Sequence, residues 1–299
     1  MTSEALLFKL LFDADARRTF VENRAQFLED EAIEASERPM WLAVDAQGLE
    51  LDASMRAGYL MSALCRPYVV TAAALGSAPG GKEQLQSFLA SRALLGDVSE
   101  RTAAFGKHLA TLLELNTLGL PPVSQRVLSA FLAWERALQT NAAAIRREAE
   151  AGRVPPPVTE PTKAQLKKGR VALPPFFVAA ELPLPQGVVL TALDHVSVED
   201  VWLRIRSSSM DFDRLVAATR GTAMPVTVIA RGVVRGLSAE TPGVAPLVDV
   251  SHLTAELPGR RRDFFQALRG EKSLADFPPA DEKTVRALVE RGLLVAEPA

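Results

Sequence analysis

The stretch from Gly152 to Pro175 constrains this chain more than any other. It opens Gly152–Arg153–Val154–Pro155–Pro156–Pro157, continues through Pro161, and carries Lys163, Lys167, Lys168 and Arg170. Proline removes a backbone donor and fixes φ, so a proline-rich, charged stretch is a good place for the chain to break between domains. It predicts a boundary, with residues 1–151 as a helical domain, 152–175 as a Pro/Lys-rich linker and 176–299 as an α+β domain. A total of 299 residues also favours two domains. The linker's basic cluster suits either a solvated face or an anionic partner.

The first part reads as helix throughout. Leu6, Leu7, Leu10 and Leu11 form a stripe, with Ser3 as a candidate cap. Asp13 or Asp15 opens a second helix carrying Phe20, Phe27 and Leu28, and Asp97 or Ser99 opens another with Phe105, Leu109 and Leu112. Tyr68–Leu75 contains β-formers, but its alanines and helical surroundings predict a helix. The last helix of this part spans about Val123–Glu150.

After Pro175 the texture changes. Phe176–Ala180 and Val188–Leu190 read as strands, as do Pro225–Ala230, continued by Val233 and Val234, and Ala245–Val250. Asp211 begins a helix. The tail from Asp263 reads as a short helix with Phe264, Phe265 and Leu268, stopped at Gly270. A second helix follows, with Asp281 as its cap and Val285, Leu288 and Val289 on one face. Gly292 ends it, and Leu293–Val295 is a short strand. Helix, turn, helix, strand is the pattern of a winged-helix-like unit.

Composition bounds the function. The net charge is −2, which gives no bulk electrostatic reason for nucleic-acid binding. A single cysteine, Cys65, excludes an intramolecular disulfide and a cysteine metal cage, and fits a reducing cytoplasm. No basic region precedes the first apolar run, and no apolar run approaches the roughly 20 residues of a membrane span.

Reactive motifs are sparse. His108, His195 and His252 are scattered, with no HExxH, and no metal or other cofactor is expected. Asp194–His195 is the most suggestive pair, yet neighbours on a strand face opposite ways. Arg66 beside Cys65 favours a thiolate if the thiol is accessible, whereas a small buried residue is the commoner use. Ser207–Ser209 lacks a GxSxG setting, and Gly76–Gly81 lacks the ending of a P-loop. Arg260–Arg261–Arg262 is the sharpest basic patch. At a helix start it opposes the dipole, so it points into water or meets an acidic partner.

The tail text FFQALRGEKSLADF…EKTVRALVERGLLV resembles the peptide-recognition elements of ribosomal-peptide modification systems, the winged-helix family that includes PQQ-type peptide chaperones. Leu268, Gly270, Ser273, Leu274, Val285, Leu288, Gly292, Leu293 and Leu294 occupy that family's pattern. The order of the whole chain resembles accessory subunits of multinuclear non-haem iron enzymes in such pathways, and the opening LLFDADARRTFVENRAQFL resembles the helical start of several peptide-tailoring proteins. The α+β part here is longer than the family's usual recognition unit. The resemblance implies a non-catalytic adaptor that binds the leader of a precursor peptide and presents it to a separate iron-dependent tailoring enzyme. A leader would add to a strand edge holding Val226 and Val228, beside Arg260, Arg261, Arg262, Phe265 and Arg286. The alternatives are a winged-helix DNA-binding regulator, whose recognition helix would carry Lys283, Arg286 and Arg291 among acids, and an enzyme with a site around His195.

Overall fold

The computed structural model describes residues 2–154, 156–221, 224–238, 247–266 and 268–297. The described chain is mostly helical, with two small antiparallel sheets in its C-terminal part. It forms two compact units, Met1–Gly119 with Leu193–Phe212, and Leu120–Ala192 with Asp213–Ala299. The Pro-rich stretch therefore lies inside the second unit.

The first unit begins with α1 (Ser3–Phe12), α2 (Ala14–Glu22), α3 (Arg24–Asp30) and α4 (Arg38–Leu42). Thr2, one residue before the expected Ser3, caps α1 by accepting from the Ala5 N–H at 3.3 Å. Ser3 instead donates to Glu37 at 2.7 Å and accepts from the Trp41 indole at 3.0 Å. Asp13 caps α2, accepting from two backbone N–H groups at 3.0 Å. The α1 stripe buries Leu6, Leu10 and Leu11 against Phe20, Phe27, Leu28 and Trp41, with Leu49 and Ala53 of α5 (Ala46–Cys65).

Next comes α6 (Val69–Ser77), where helix wins over strand as expected. Ala72, Ala73 and Ala74 are all fully buried, so small side chains set a close helix approach. α7 (Gly81–Gln86) and α8 (Val98–Glu114) follow. Phe105 of α8 packs edge-on against Phe88 at 5.2 Å and beside Tyr68 at 6.1 Å. Asp97 forms a capping box: it accepts from Glu100 N–H at 2.8 Å, and the Glu100 carboxylate accepts from Asp97 N–H at 3.0 Å. Asp97→Ala is expected to cost about 1 kcal/mol, read as a lower urea midpoint at unchanged slope.

In the second unit α9 (Pro122–Glu150) starts on a proline that needs no N–H partner in the first turn. The sequence reading assigned this helix to the helical domain, but it packs against the unit's larger sheet. α10 (Lys163–Lys168) forms within the expected linker, capped by Thr162 and Gln165. β1 (Arg170–Ala172) also lies within the expected linker, where it pairs with two later strands of the tail, and β2 (Phe177–Leu182) follows. Val188–Leu190, expected as a strand, lies in α11 (Gln186–Ala192). Val189 and Ala192 are buried one helical turn apart there, so packing overrides β-propensity.

The chain then returns to the first unit, where α12 (Val201–Arg206) lies close to α6. A Cβ on Gly76 would come within 2.7 Å of Ile205. The second unit resumes with α13 (Phe212–Arg220), β3 (Val226–Ser238) and β4 (Leu247–Pro258); residues 245 and 246 of the expected strand lie outside the described residues.

The tail holds α14 (Arg262–Gln266), β5 (Arg269–Ser273), α15 (Pro279–Glu290) and β6 (Val295–Glu297). Gly270, expected as a helix stop, sits in β5, because α14 ends four residues earlier and the chain pairs with β1 instead. Asp281 falls in the first turn of α15 rather than at its cap, since Pro278 already supplies the extended cap residue. Gly292 ends α15 at φ +72, as glycine permits. The sheet orders are β5-β1-β6 and β2-β3-β4. Ile229 and Ala255 of the second sheet share a core with Phe265, Leu274, Phe277, Val285, Leu288 and Leu293.

Candidate functional site

The structure separates the expected site residues by role. Val226, Val228 and Phe265 are buried, with exposures of 6%, 2% and 1%. β3 is the central strand, paired to β2 on one side and to β4 on the other, so Val226 and Val228 offer no edge to a peptide. Among the described residues the unpaired edges of this sheet belong to β2 and β4. Phe265 contacts Phe177 at 5.7 Å and Phe264 at 5.2 Å within the core.

The arginine patch divides as well. Arg261 is an internal clamp. Its N–H donates to the Thr227 hydroxyl at 2.6 Å, which in turn donates to the Gly259 carbonyl at 2.9 Å. Its guanidinium donates to Asp281 at 3.0 Å, tying the start of α14 to the start of α15. Arg286 bonds Glu282 one turn earlier at 2.7 Å. Arg260 is exposed, with Glu181 at 3.9 Å, and such surface pairs contribute about 0–1 kcal/mol. Arg262 is exposed and makes no ion pair among the described residues.

A site the sequence reading did not single out lies beneath Arg231. Alternate residues of β3 face opposite ways. A Cβ on Gly232 would meet Ile145 and Asn141 of α9, so the even positions face that helix. Ile229 and Arg231 face the tail elements. Arg231 is 5% exposed, and its Nη1 donates to the Gly292 carbonyl at 2.7 Å, just beyond α15. Burial lowers its pKa, and a guanidinium keeps its charge in proteins. It lines a pocket of about 150 Å³ with Pro156, Pro157, Thr159, Pro161 and Gln165. Val158 of the same extended segment packs on Gly292, where an added Cβ would lie 2.3 Å from its Cγ1. Nothing in the sequence around Arg231 marks it; its inward register shows only once β3 is packed.

A second polar group sits on the α9 face of the sheet. His252 of β4 lies opposite Gly232, and its Nε2 is 3.2 Å from the Asn141 Oδ1. Asn141 Nδ2 donates to the Phe176 carbonyl at 2.8 Å, which also accepts the Gly232 N–H at 3.1 Å. The sequence reading placed His252 after a strand; it lies within one. Burial, and secondarily the charge of Arg146, lowers its pKa from 6.5. A depressed histidine stays neutral in the folded state while the unfolded chain takes up protons. Its contribution to stability is intact above about pH 6.5 and is lost as pH falls through the lower folded value. The second unit is expected to lose stability over that range, and His252→Gln is expected to flatten the loss, read as urea midpoints between pH 7.5 and 5.

The remaining candidates do not come together. Asp194 and His195 are both left-handed, at φ +54 and +57, in the turn after α11 rather than on a strand. Arg204 donates to the Asp194 carbonyl at 2.7 Å, and His195 is exposed. His108 lies 2.9 Å from the Gln84 carbonyl, stacked near Phe105. Cys65 is fully buried, and burial pushes its thiol well up, opposite to an activated thiolate. Among the described residues no group of three His, Cys, Asp or Glu is placed to hold a metal ion, and no helix is long and apolar enough to cross a membrane. The chain matches no family model, no curated protein and no solved structure.

Proposed function

We propose that this protein is a cytoplasmic, non-catalytic adaptor that binds the leader of a precursor peptide and presents it to a separate iron-dependent tailoring enzyme. In this reading the tail is a winged-helix-like recognition unit. The observation that carries it is the outer edge of β4. Its twelve residues lack a strand partner on that side among the described residues. Such an edge supplies backbone donors and acceptors to an extended peptide, which is disordered until bound. Two of its carbonyls already accept side-chain donors: that of Thr254 from Arg291 at 2.8 Å and that of Pro258, at the strand's end, from Arg261 at 3.3 Å. The exposed Arg260 and Arg262 flank the same unit and suit acidic side chains. In this reading recognition falls on β4, beside the groove of the Pro-rich segment, rather than on Val226 and Val228.

The test is capture of peptides. The immobilised protein is exposed to the low-molecular-weight peptide fraction of its native host, and retained species are identified by mass spectrometry. Retention of one short ribosomally encoded peptide is the expected result. Retention of none, with DNA held instead, contradicts the reading and favours a regulator.

A further inference from the structure

We infer that the pocket under Arg231 is a carboxylate-binding subsite, which receives an acidic side chain or a free C-terminus of a bound peptide. The inference takes its ligand class from the peptide-binding reading. The site itself rests on geometry.

Arg231 is 95% buried by its 5% exposure, yet no carboxylate of the described residues pairs with it. A guanidinium carries five N–H donors, and among the described residues Arg231 donates from Nη1 to the Gly292 carbonyl. A buried cation without an anion is costly, and evolved interiors pair such charges. The end of α15 offsets part of that cost, since a helix C-terminus carries roughly half a negative charge. The guanidinium still presents net positive charge and a planar donor fork to the pocket it lines.

The walls fit a small, singly charged, planar group. The pocket's volume of about 150 Å³ suits one acidic side chain and not a folded partner. Gln165 uses its Oε1 on Thr162, which leaves its amide N–H donors for a second oxygen. Thr159 adds a hydroxyl to the wall. Pro156, Pro157 and Pro161 hold the rim in fixed φ, so little ordering is needed on binding. A dianion such as phosphate would bring two charges to one cation beside a helix C-terminus.

The test is NMR on the full chain labelled with 15N, following the arginine Nε–Hε signal that disappears in Arg231→Lys. Four probes are titrated: N-acetyl-aspartate methylamide, its asparagine counterpart, N-acetylglycine and inorganic phosphate. A saturable shift of the Arg231 signal with the aspartate probe or with N-acetylglycine, and none with asparagine, is expected; whichever carboxylate binds more tightly identifies the source. Gln165→Leu, which keeps Arg231, is expected to weaken that binding several-fold. The proposal is overturned if neither carboxylate gives a saturable shift, if asparagine shifts the signal equally, or if phosphate binds more tightly than both. Saturable carboxylate binding together with failed capture of any host peptide would leave the subsite standing and remove the peptide reading.

Discussion

Phe265→Ala is expected to destabilise the second unit by about 3–5 kcal/mol, the range for emptying a buried aromatic site. Phe265 is 1% exposed and touches the rings of both Phe177 and Phe264, which lie on different elements of the unit. Its removal leaves a cavity bordered by the sheet and the tail helices, and neither wall is free to collapse. Urea unfolding with and without the substitution measures the effect. A loss below about 1 kcal/mol would show that the tail does not share a core with β3. The prediction also guards the interpretation of binding experiments. A Phe265→Ala protein that captures no peptide would report the loss of the second unit's core, not of a peptide contact. Arg260 and Arg262, being exposed, are the informative positions for charge reversal.

Gly81→Ala is expected to destabilise the first unit by about 3 kcal/mol, the upper part of the overpacking range. Alanine normally helps a helix by up to about 1 kcal/mol relative to glycine. Here the added Cβ would stand 1.8 Å from the Leu75 carbonyl oxygen and 2.9 Å from the Leu75 carbonyl carbon. Both atoms belong to backbone, so no side chain can rotate out of the way. The chain folds back tightly at this point: the Gly81 N–H donates to the Ala78 carbonyl at 2.9 Å, and Gly80 is left-handed at φ +73. A glycine pair after Pro79 suits any loop, while the structure makes Gly81 a steric requirement. A Gly81→Ala protein as stable as the parent would mean that α6 and α7 do not meet as described. Gly58→Ala serves as the control, because nothing lies within 4 Å of its added Cβ.

What the sequence could reveal followed local physics. Capping residues such as Asp13 and Asp97 act where their spacing placed them, because a cap is settled within one turn. Gly292 stops α15 for the same reason. What it could not reveal depended on distant partners. Val188–Leu190 has β-forming side chains, but Val189 and Ala192 bury as a helical pair. Gly270 looked like a helix stop until its segment found β1, about a hundred residues earlier. Val226 and Val228 read correctly as a strand, and only the pairing on both sides shows that it has no open edge. Arg231 was invisible for a related reason. Its importance comes from burial and from the lack of a carboxylate partner, and neither is written in the residues around it.

Co-purification tests the adaptor account most directly. The tagged protein, expressed in its native host, is isolated under mild conditions, its companions are identified by mass spectrometry, and the eluate is assayed for iron. The account predicts an iron-containing enzyme held together with a short precursor peptide, and loss of the peptide on charge reversal at Arg260 and Arg262. Recovery of the protein alone with its own bound metal, or with DNA as its only companion, would contradict it.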